Sequence, residues 1–181
     1  VALRGDQGSS RAVFREELDV AKELGLPKVM HIGQSKRFRV NVAELVRLGF
    51  IDKDTLLVHG LAMTTEDRVA MSALGLSLSY SPQSELRLQA DGDFRTQLLL
   101  AMASHINLCL SIDATSLGSV SMFDAMHTLW NLGIPWNGTE TEKLPRLDFN
   151  QCLEMATLNG ARALGLASVA GSLSPGKRAD I

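Results

Sequence analysis

Lys28-Val29-Met30-His31, Thr55-Leu56-Leu57-Val58-His59 and Ile106-Asn107-Leu108-Cys109-Leu110-Ser111-Ile112-Asp113 decide the reading of this chain. Each is a short apolar run that stops at a polar residue of metal-ligand type. Each reads as a buried strand delivering that residue from its carboxyl end. In a barrel of parallel strands, active sites are built at that end. Two imidazoles and a carboxylate converging there suit a divalent metal such as zinc. Taken singly, a His or Asp at the end of a buried strand is as readily a satisfied structural residue. Three in the same position favour the functional reading.

Working outward, residues 11–24 carry Val13, Phe14, Leu18, Ala21 and Leu24 at helical spacing, closed by Gly25. Residues 41–48 repeat the pattern and stop at Gly49. Residues 65–74 open on a Thr followed by Glu66 and Asp67, which suit a helix N-terminus, and stop at Gly75. Leu76-Ser77-Leu78-Ser79-Tyr80 is a further strand. Helices are expected over 94–104, 121–132 and 149–164, the last with Leu153, Met155, Ala156, Leu158 and Ala161 as its buried stripe. Residues 1–10 read as a loop, and 133–148, with Pro135, Trp136, Gly138 and Pro145, as a long connection or surface flap.

Strand and helix alternating through short connections predicts parallel βα units with right-handed crossovers, hence an α/β fold. Four strands with their helices are about half of an eight-stranded (β/α)8 TIM barrel, which takes about 250 residues. An open doubly wound sheet is the competing architecture. Against it, no Gly-rich strand-to-helix turn has dinucleotide-binding spacing, and the ligand-type residues sit on three strands instead of around one switch point.

The chain has 181 residues, is 45% hydrophobic and carries a formal net charge of −2, which is the composition of a globular domain with a real core. Lys and Arg are scattered among Asp and Glu, so no basic stripe favours nucleic acid and a small-molecule substrate is expected. Cys109 and Cys152 lack the paired spacing of a zinc knuckle and read as reduced packing residues of a cytoplasmic protein. No run approaches the roughly 18 apolar residues of a membrane span. The chain opens on Val and closes just after the turn cluster Gly171-Ser172-Leu173-Ser174-Pro175-Gly176-Lys177. It is therefore expected to be a piece of a longer protein, inactive by itself, whose open strand edges favour pairing into a homo-oligomer.

Met30-His31-Ile32-Gly33, Val58-His59-Gly60, Ser81-Pro82-Gln83-Ser84, Ser111-Ile112-Asp113 and, most specifically, Asn159-Gly160-Ala161-Arg162-Ala163-Leu164-Gly165 followed by residues 171–180 resemble the amidohydrolase superfamily. The similar branch holds the cytosine, guanine and S-adenosylhomocysteine deaminases and the triazine hydrolases. The resemblance implies the C-terminal half of the barrel over 1–165 and, over 166–181, the beginning of a small β-sandwich domain. It makes His31 and Asp113 ligands of one divalent metal, zinc first and iron second. It makes Asp113 also the base for the attacking water, and His59 the group that binds the activated water or the substrate. The function implied is hydrolysis of a non-peptide carbon–nitrogen bond.

Three departures from the family pattern stand out. The family's further His-x-His ligand pair has no counterpart, since the histidines are His31, His59, His105 and His127. Gln34 stands where the deaminases place a proton-shuttling Glu; it reads as substrate-binding and cannot donate and recover a proton at neutral pH. Glu85 puts a charge where the family has an amide. These departures support the alternative of a catalytically silent barrel kept for assembly or regulation. Of the other candidates, His105 precedes its strand and His127 lies within a helix, so both read as packing or surface. Ser81 and Ser84 read either as pocket-lining residues or as commonplace loop serines, and no nucleophile elbow accompanies either. Trp136 reads as a cover or plug, and Asp91-Gly92-Asp93 as a solvated turn.

Overall fold

The computed structural model describes residues 1–33, 39–88, 93–133 and 144–178. Five parallel strands, β1 (Ala2–Leu3), β2 (Lys28–Ile32), β3 (Thr55–His59), β4 (Ser77–Tyr80) and β5 (Asn107–Leu110), form one sheet in the order β1-β2-β3-β4-β5. Every strand lies beside its predecessor, so the order never reverses. Among the described residues there is thus no switch point of a doubly wound sheet, and the order is consistent with part of a TIM barrel.

β1 corrects the loop expected over 1–10. It is two residues long, too short for any periodic signal, and becomes a strand because Ala2 and Leu3 pair with Val29 and Met30. A short helix, α1 (Gly5–Gly8), follows it.

Register explains the core. Leu3, Met30, Leu57, Leu78 and Leu108 are successive partners across all five strands, and none is more than 5% exposed. Against this face pack Phe14 and Leu18 from α2 (Arg11–Glu23), Leu45 from α3 (Val42–Arg47), Met71 from α4 (Thr65–Leu74) and Leu98 from α6 (Phe94–Ala103). Burial of each such side chain contributes about 1.5–3 kcal/mol. The residues that directly follow Met30, Leu57, Leu78 and Leu108 face the other way, in the row His31, Val58, Ser79 and Cys109. That row is small and partly polar, and it carries the first candidate ligand.

The helices start where the sequence supplies caps. Ser10 accepts from the Val13 amide, Thr64 and Asp67 form a reciprocal capping box, and Asp148 with Gln151 forms another. α5 (Pro82–Leu88) follows β4, with Pro82 as its first residue, and α7 (Met122–Gly133) follows β5. The helix expected over 149–164 is two helices, α8 (Phe149–Ala156) and α9 (Leu158–Ala163), separated by Thr157 at φ −133° and ψ −89°. The break lets Asn159 turn to the sheet. Its amide donates to the Leu108 carbonyl at 3.0 Å, while Asn107 donates to the Asn159 carbonyl at 3.1 Å. Residues 166–178 make turns, closed by the Arg178 amide donating to the Val169 carbonyl, with no strand among them. Trp136 and most of the flap lie outside the described residues, as do Asp91 and Gly92. Among the described residues, no helix is long and apolar enough to cross a membrane.

Gly60, directly after β3, sits at φ +67°, and an added Cβ would lie 3.1 Å from Met63 and 3.2 Å from Leu78. Gly49 shares the backbone conformation (φ +71°) but has open space around it. Gly60→Ala is therefore expected to destabilise the protein by about 1–3 kcal/mol, and Gly49→Ala by less, because it carries the backbone strain without the crowding. Urea unfolding of the two variants checks this. Equal losses would show that the contacts with Met63 and Leu78 are immaterial.

Candidate active site at the strand ends

The carboxyl ends of β2, β3 and β4 lie side by side because the register fixes them there: Ile32 pairs with His59, and Tyr80 with Leu110. His31 belongs to the partly polar face. Strict alternation would send the side chain of His59 to the opposite, helix-covered face, since its partner Ile32 follows His31. His59, however, has φ +77°. With that backbone turn its ring stacks on His31, centroids 5.1 Å apart and planes 19° from parallel. The Gly60 and Leu61 amides donate to the carbonyls of Ile32 and Gly33, each at 2.8 Å, and hold the turn in place.

Asp113 is not the last residue of its strand, as the sequence suggested. β5 ends at Leu110, and Asp113 lies three residues on, at φ +56° and largely exposed. The Ser111 amide still donates to the Tyr80 carbonyl at 2.8 Å, so the ladder runs one residue past the strand before the backbone turns away. Ser84 Oγ donates a short hydrogen bond to Asp113 Oδ2. The hydroxyls of Ser79 and Ser81 both reach Ser111 Oγ, at 3.1 and 2.6 Å, and tie the ends of β4 and β5 together.

The residue after Ser84 completes the arrangement. Glu85 Oε1 lies 3.1 Å from His59 Nδ1, and both residues are only 1% exposed. Oε2 of Glu85 and the hydroxyl of the strand residue Tyr80 are buried and have no hydrogen-bond partner among the described residues. Burial, opposed by the bond to His59 and reinforced by the charge of Asp113, pushes the Glu85 carboxyl up to about 7. Crowding by protein first, and the neighbouring His59 second, push the His31 imidazole below its ordinary value, with Asp113 pulling the other way. A neutral imidazole is the form that ligates a metal.

His31 and His59 are thus stacked together, and Asp113 lies near enough for its charge to act on His31. Gln34 lies outside the described residues. His105 sits at φ +56° between α6 and β5, at the opposite end of the sheet, and His127 is exposed on α7. Cys109 and Cys152 are free and buried, their thiols pushed up to about 11 by burial, which leaves neither as a nucleophile. Among the described residues, no three His, Cys, Asp or Glu side chains form a ready metal cage. Sequence reading took Ser84 as a loop or pocket-lining residue and Glu85 only as a departure from the family pattern; it missed their bonds to Asp113 and His59. Pro82 after Ser81 was a usable signal for the helix that presents them.

The sequence pattern of the amidohydrolase family matches residues 1–181. The chain is 32% identical over 173 residues to a 5-methylthioadenosine/S-adenosylhomocysteine deaminase from Saccharophagus degradans, which takes in 93% of this chain and 37% of that one. An adenosine deaminase from Xanthomonas campestris, solved with bound zinc, superposes with a TM-score of 0.81 at 26% identity over 96% of this chain and 40% of its own. Guanine deaminase from Bradyrhizobium japonicum superposes with a TM-score of 0.82 over 97% of this chain and 43% of its own; at 16% identity that likeness shows the fold alone. The chain spans about two-fifths of the length of the relatives it matches.

The Glu85 environment has a pH signature. A carboxyl raised from 4.5 to about 7 binds its proton more tightly in the folded state, so its stabilising contribution is complete below about pH 4.5 and is lost as pH rises through about 7. Glu85→Gln removes that dependence. Thermal unfolding of the full-length protein between pH 5 and 8 is expected to favour the Gln variant increasingly as pH rises. A constant difference across that range would show that Glu85 keeps an ordinary carboxylate affinity for its proton.

Proposed function

Because the chain belongs to the amidohydrolase family, we propose that the protein carrying it is a metal-dependent hydrolase that cleaves a non-peptide carbon–nitrogen bond in a small cyclic or amide substrate. The observation that carries this reading is the convergence of His31 and His59, stacked at 5.1 Å, with Asp113, which is held by Ser84 and electrostatically coupled to His31. Two of these groups come from the ends of β2 and β3 and the third from the segment after β5.

The donor chemistry fits a divalent ion. His31, disfavoured from protonation, and the Asp113 carboxylate would hold it, with the remaining ligands coming from elsewhere in the protein. Zinc is the first choice, supported by the zinc in the Xanthomonas adenosine deaminase, and iron the second. When bound, such an ion supplies a water whose pKa falls from about 15.7 towards about 7. Asp113 takes the proton from the attacking water, its carboxylate kept from rotating by Ser84. His59, buried and fixed by its backbone, orients the water or the substrate.

Gln34 shapes the reaction class. In this reading it binds substrate and cannot protonate a leaving amine, so expulsion of ammonia from a ring needs another acid. Residues 1–165 form half of the barrel in this proposal, and 166–181 begin the small β-sandwich segment. The free, buried Cys109 and Cys152 suit a reducing cytoplasm. The open edges of β1 and β5 suit further strands of the barrel, or a second copy.

Metal analysis of full-length variants tests the assignment. His31→Ala and Asp113→Ala are expected to lose metal, whereas His59→Ala should keep it and lose turnover by about 10–100-fold. Equal metal loss in all three would make His59 a ligand, and a wild-type protein that takes up no metal would favour the silent barrel. A second test addresses Gln34. A general acid is worth about 10²–10⁴ in rate, so Gln34→Glu is expected to raise activity on aminated heterocycles, 5′-methylthioadenosine among them, relative to halogenated or acyl-activated rings. No gain on the aminated set would remove Gln34 from the control of the leaving group.

A further inference from the structure

We infer that Glu85 is a positioning residue: its carboxylate accepts the Nδ1–H of His59, fixes the proton on that nitrogen, and leaves the lone pair of the ring on Nε2. Three observations carry this. His59 Nδ1 and Glu85 Oε1 are 3.1 Å apart, and each residue is 1% exposed, so bulk water cannot compete for either atom. An ionised carboxylate only accepts hydrogen bonds, and a neutral imidazole carries one N–H, so the N–H belongs on Nδ1. Finally, the ring is seated where this contact is made: it stacks on His31, centroids 5.1 Å apart, from a backbone at φ +77°.

The opposite tautomer, with the proton on Nε2, is the one an imidazole without a partner favours. Glu85 therefore reverses the intrinsic preference, as a buried carboxylate does for the histidine of a hydrolytic triad. The consequence is chemical. A lone pair on Nε2 lets His59 accept a hydrogen bond from a water or a substrate N–H, whereas a proton there would make it a donor. The partner on the next residue is matched: Ser84 holds Asp113 while Glu85 holds His59, so one turn of α5 sets the orientation of both groups. Other groups acting on Glu85 are Asp113, whose charge raises its pKa, and buried Tyr80, which feels the charge of Glu85.

The effect on turnover rests on the hydrolase reading; the tautomer does not. The test uses the full-length, metal-loaded protein with 15N-labelled histidine and long-range proton–nitrogen correlation spectra at pH 8, with His59 assigned by its loss in His59→Gln. The wild-type protein is expected to show His59 protonated on Nδ1. Glu85→Met, similar in length but without an acceptor, is expected to move the proton to Nε2 and to lower kcat on 5′-methylthioadenosine by about 10–100-fold with KM little changed. Wild-type His59 protonated on Nε2 overturns the proposal, and so does an Nδ1–H that survives in Glu85→Met. The wild-type spectrum decides even if the variant fails to fold. An expected tautomer shift in a protein inactive on the nucleoside would sustain the role of Glu85 and count against that nucleoside as substrate.

Discussion

The row Leu3, Met30, Leu57, Leu78 and Leu108 is the constraint on which the rest of the structure depends. Five residues, one per strand, are mutually registered and nearly fully buried. A one-residue slip of any strand would turn its apolar side chains to the open face and its polar ones into the helix layer. Several side chains at about 1.5–3 kcal/mol each are at stake in such a slip, so the register is strongly determined. The same register sets the height of the strand ends. It puts His59 level with Ile32 and Tyr80 level with Leu110, and so brings His31, His59 and Ser111 to one rim.

Registry delivers these residues to the right level, but it does not aim them. The aiming is done by local backbone. His59 and Asp113 adopt positive φ, which is uncommon for residues other than glycine and is found where surrounding structure overrides the cost. At His59 the overriding structure is visible: two amide-to-carbonyl bonds from Gly60 and Leu61 to the end of β2, and close packing of Gly60 against Met63 and Leu78. The turn converts a residue whose pleat position is on the buried face into one that stacks on His31. The core and the site are thus joined at Gly60, which follows His59 and packs against the core residue Leu78.

How much of this was legible follows from the range of each interaction. The strands at 28–32, 55–59, 77–80 and 107–110 announced themselves as short runs with apolar residues at least at alternate positions, and the helices because their caps and stripes are local. β1 was not legible, because two residues carry no period and their strand state comes from pairing with β2, 27 residues further on. The break at Thr157 was hidden for a similar reason: it serves Asn159, whose partners Asn107 and Leu108 are about 50 residues distant. His31, His59 and Asp113 could be picked out as strand-end ligands, yet the sequence placed Asp113 at the end of β5, whereas it follows by three residues. Nothing local marked Glu85 as buried, since a charged residue is by default exposed.

Glu85 also shows why the site cannot be judged from ligand-type residues alone. A buried carboxyl with one oxygen unpartnered is costly unless a neighbour compensates it. Here the compensation is His59, and the cost is visible in the upward displacement of the Glu85 carboxyl to about 7. An amide at that position would avoid the cost, but it can both donate and accept, so it would not dictate the proton's place on the ring. A carboxylate imposes one answer. Consecutive residues on a helix point about 100° apart, which is why the same turn of α5 can reach Asp113 with Ser84 and His59 with Glu85. The two groups are therefore oriented from one rigid element behind the sheet's rim, and a disturbance of α5 is transmitted to both together.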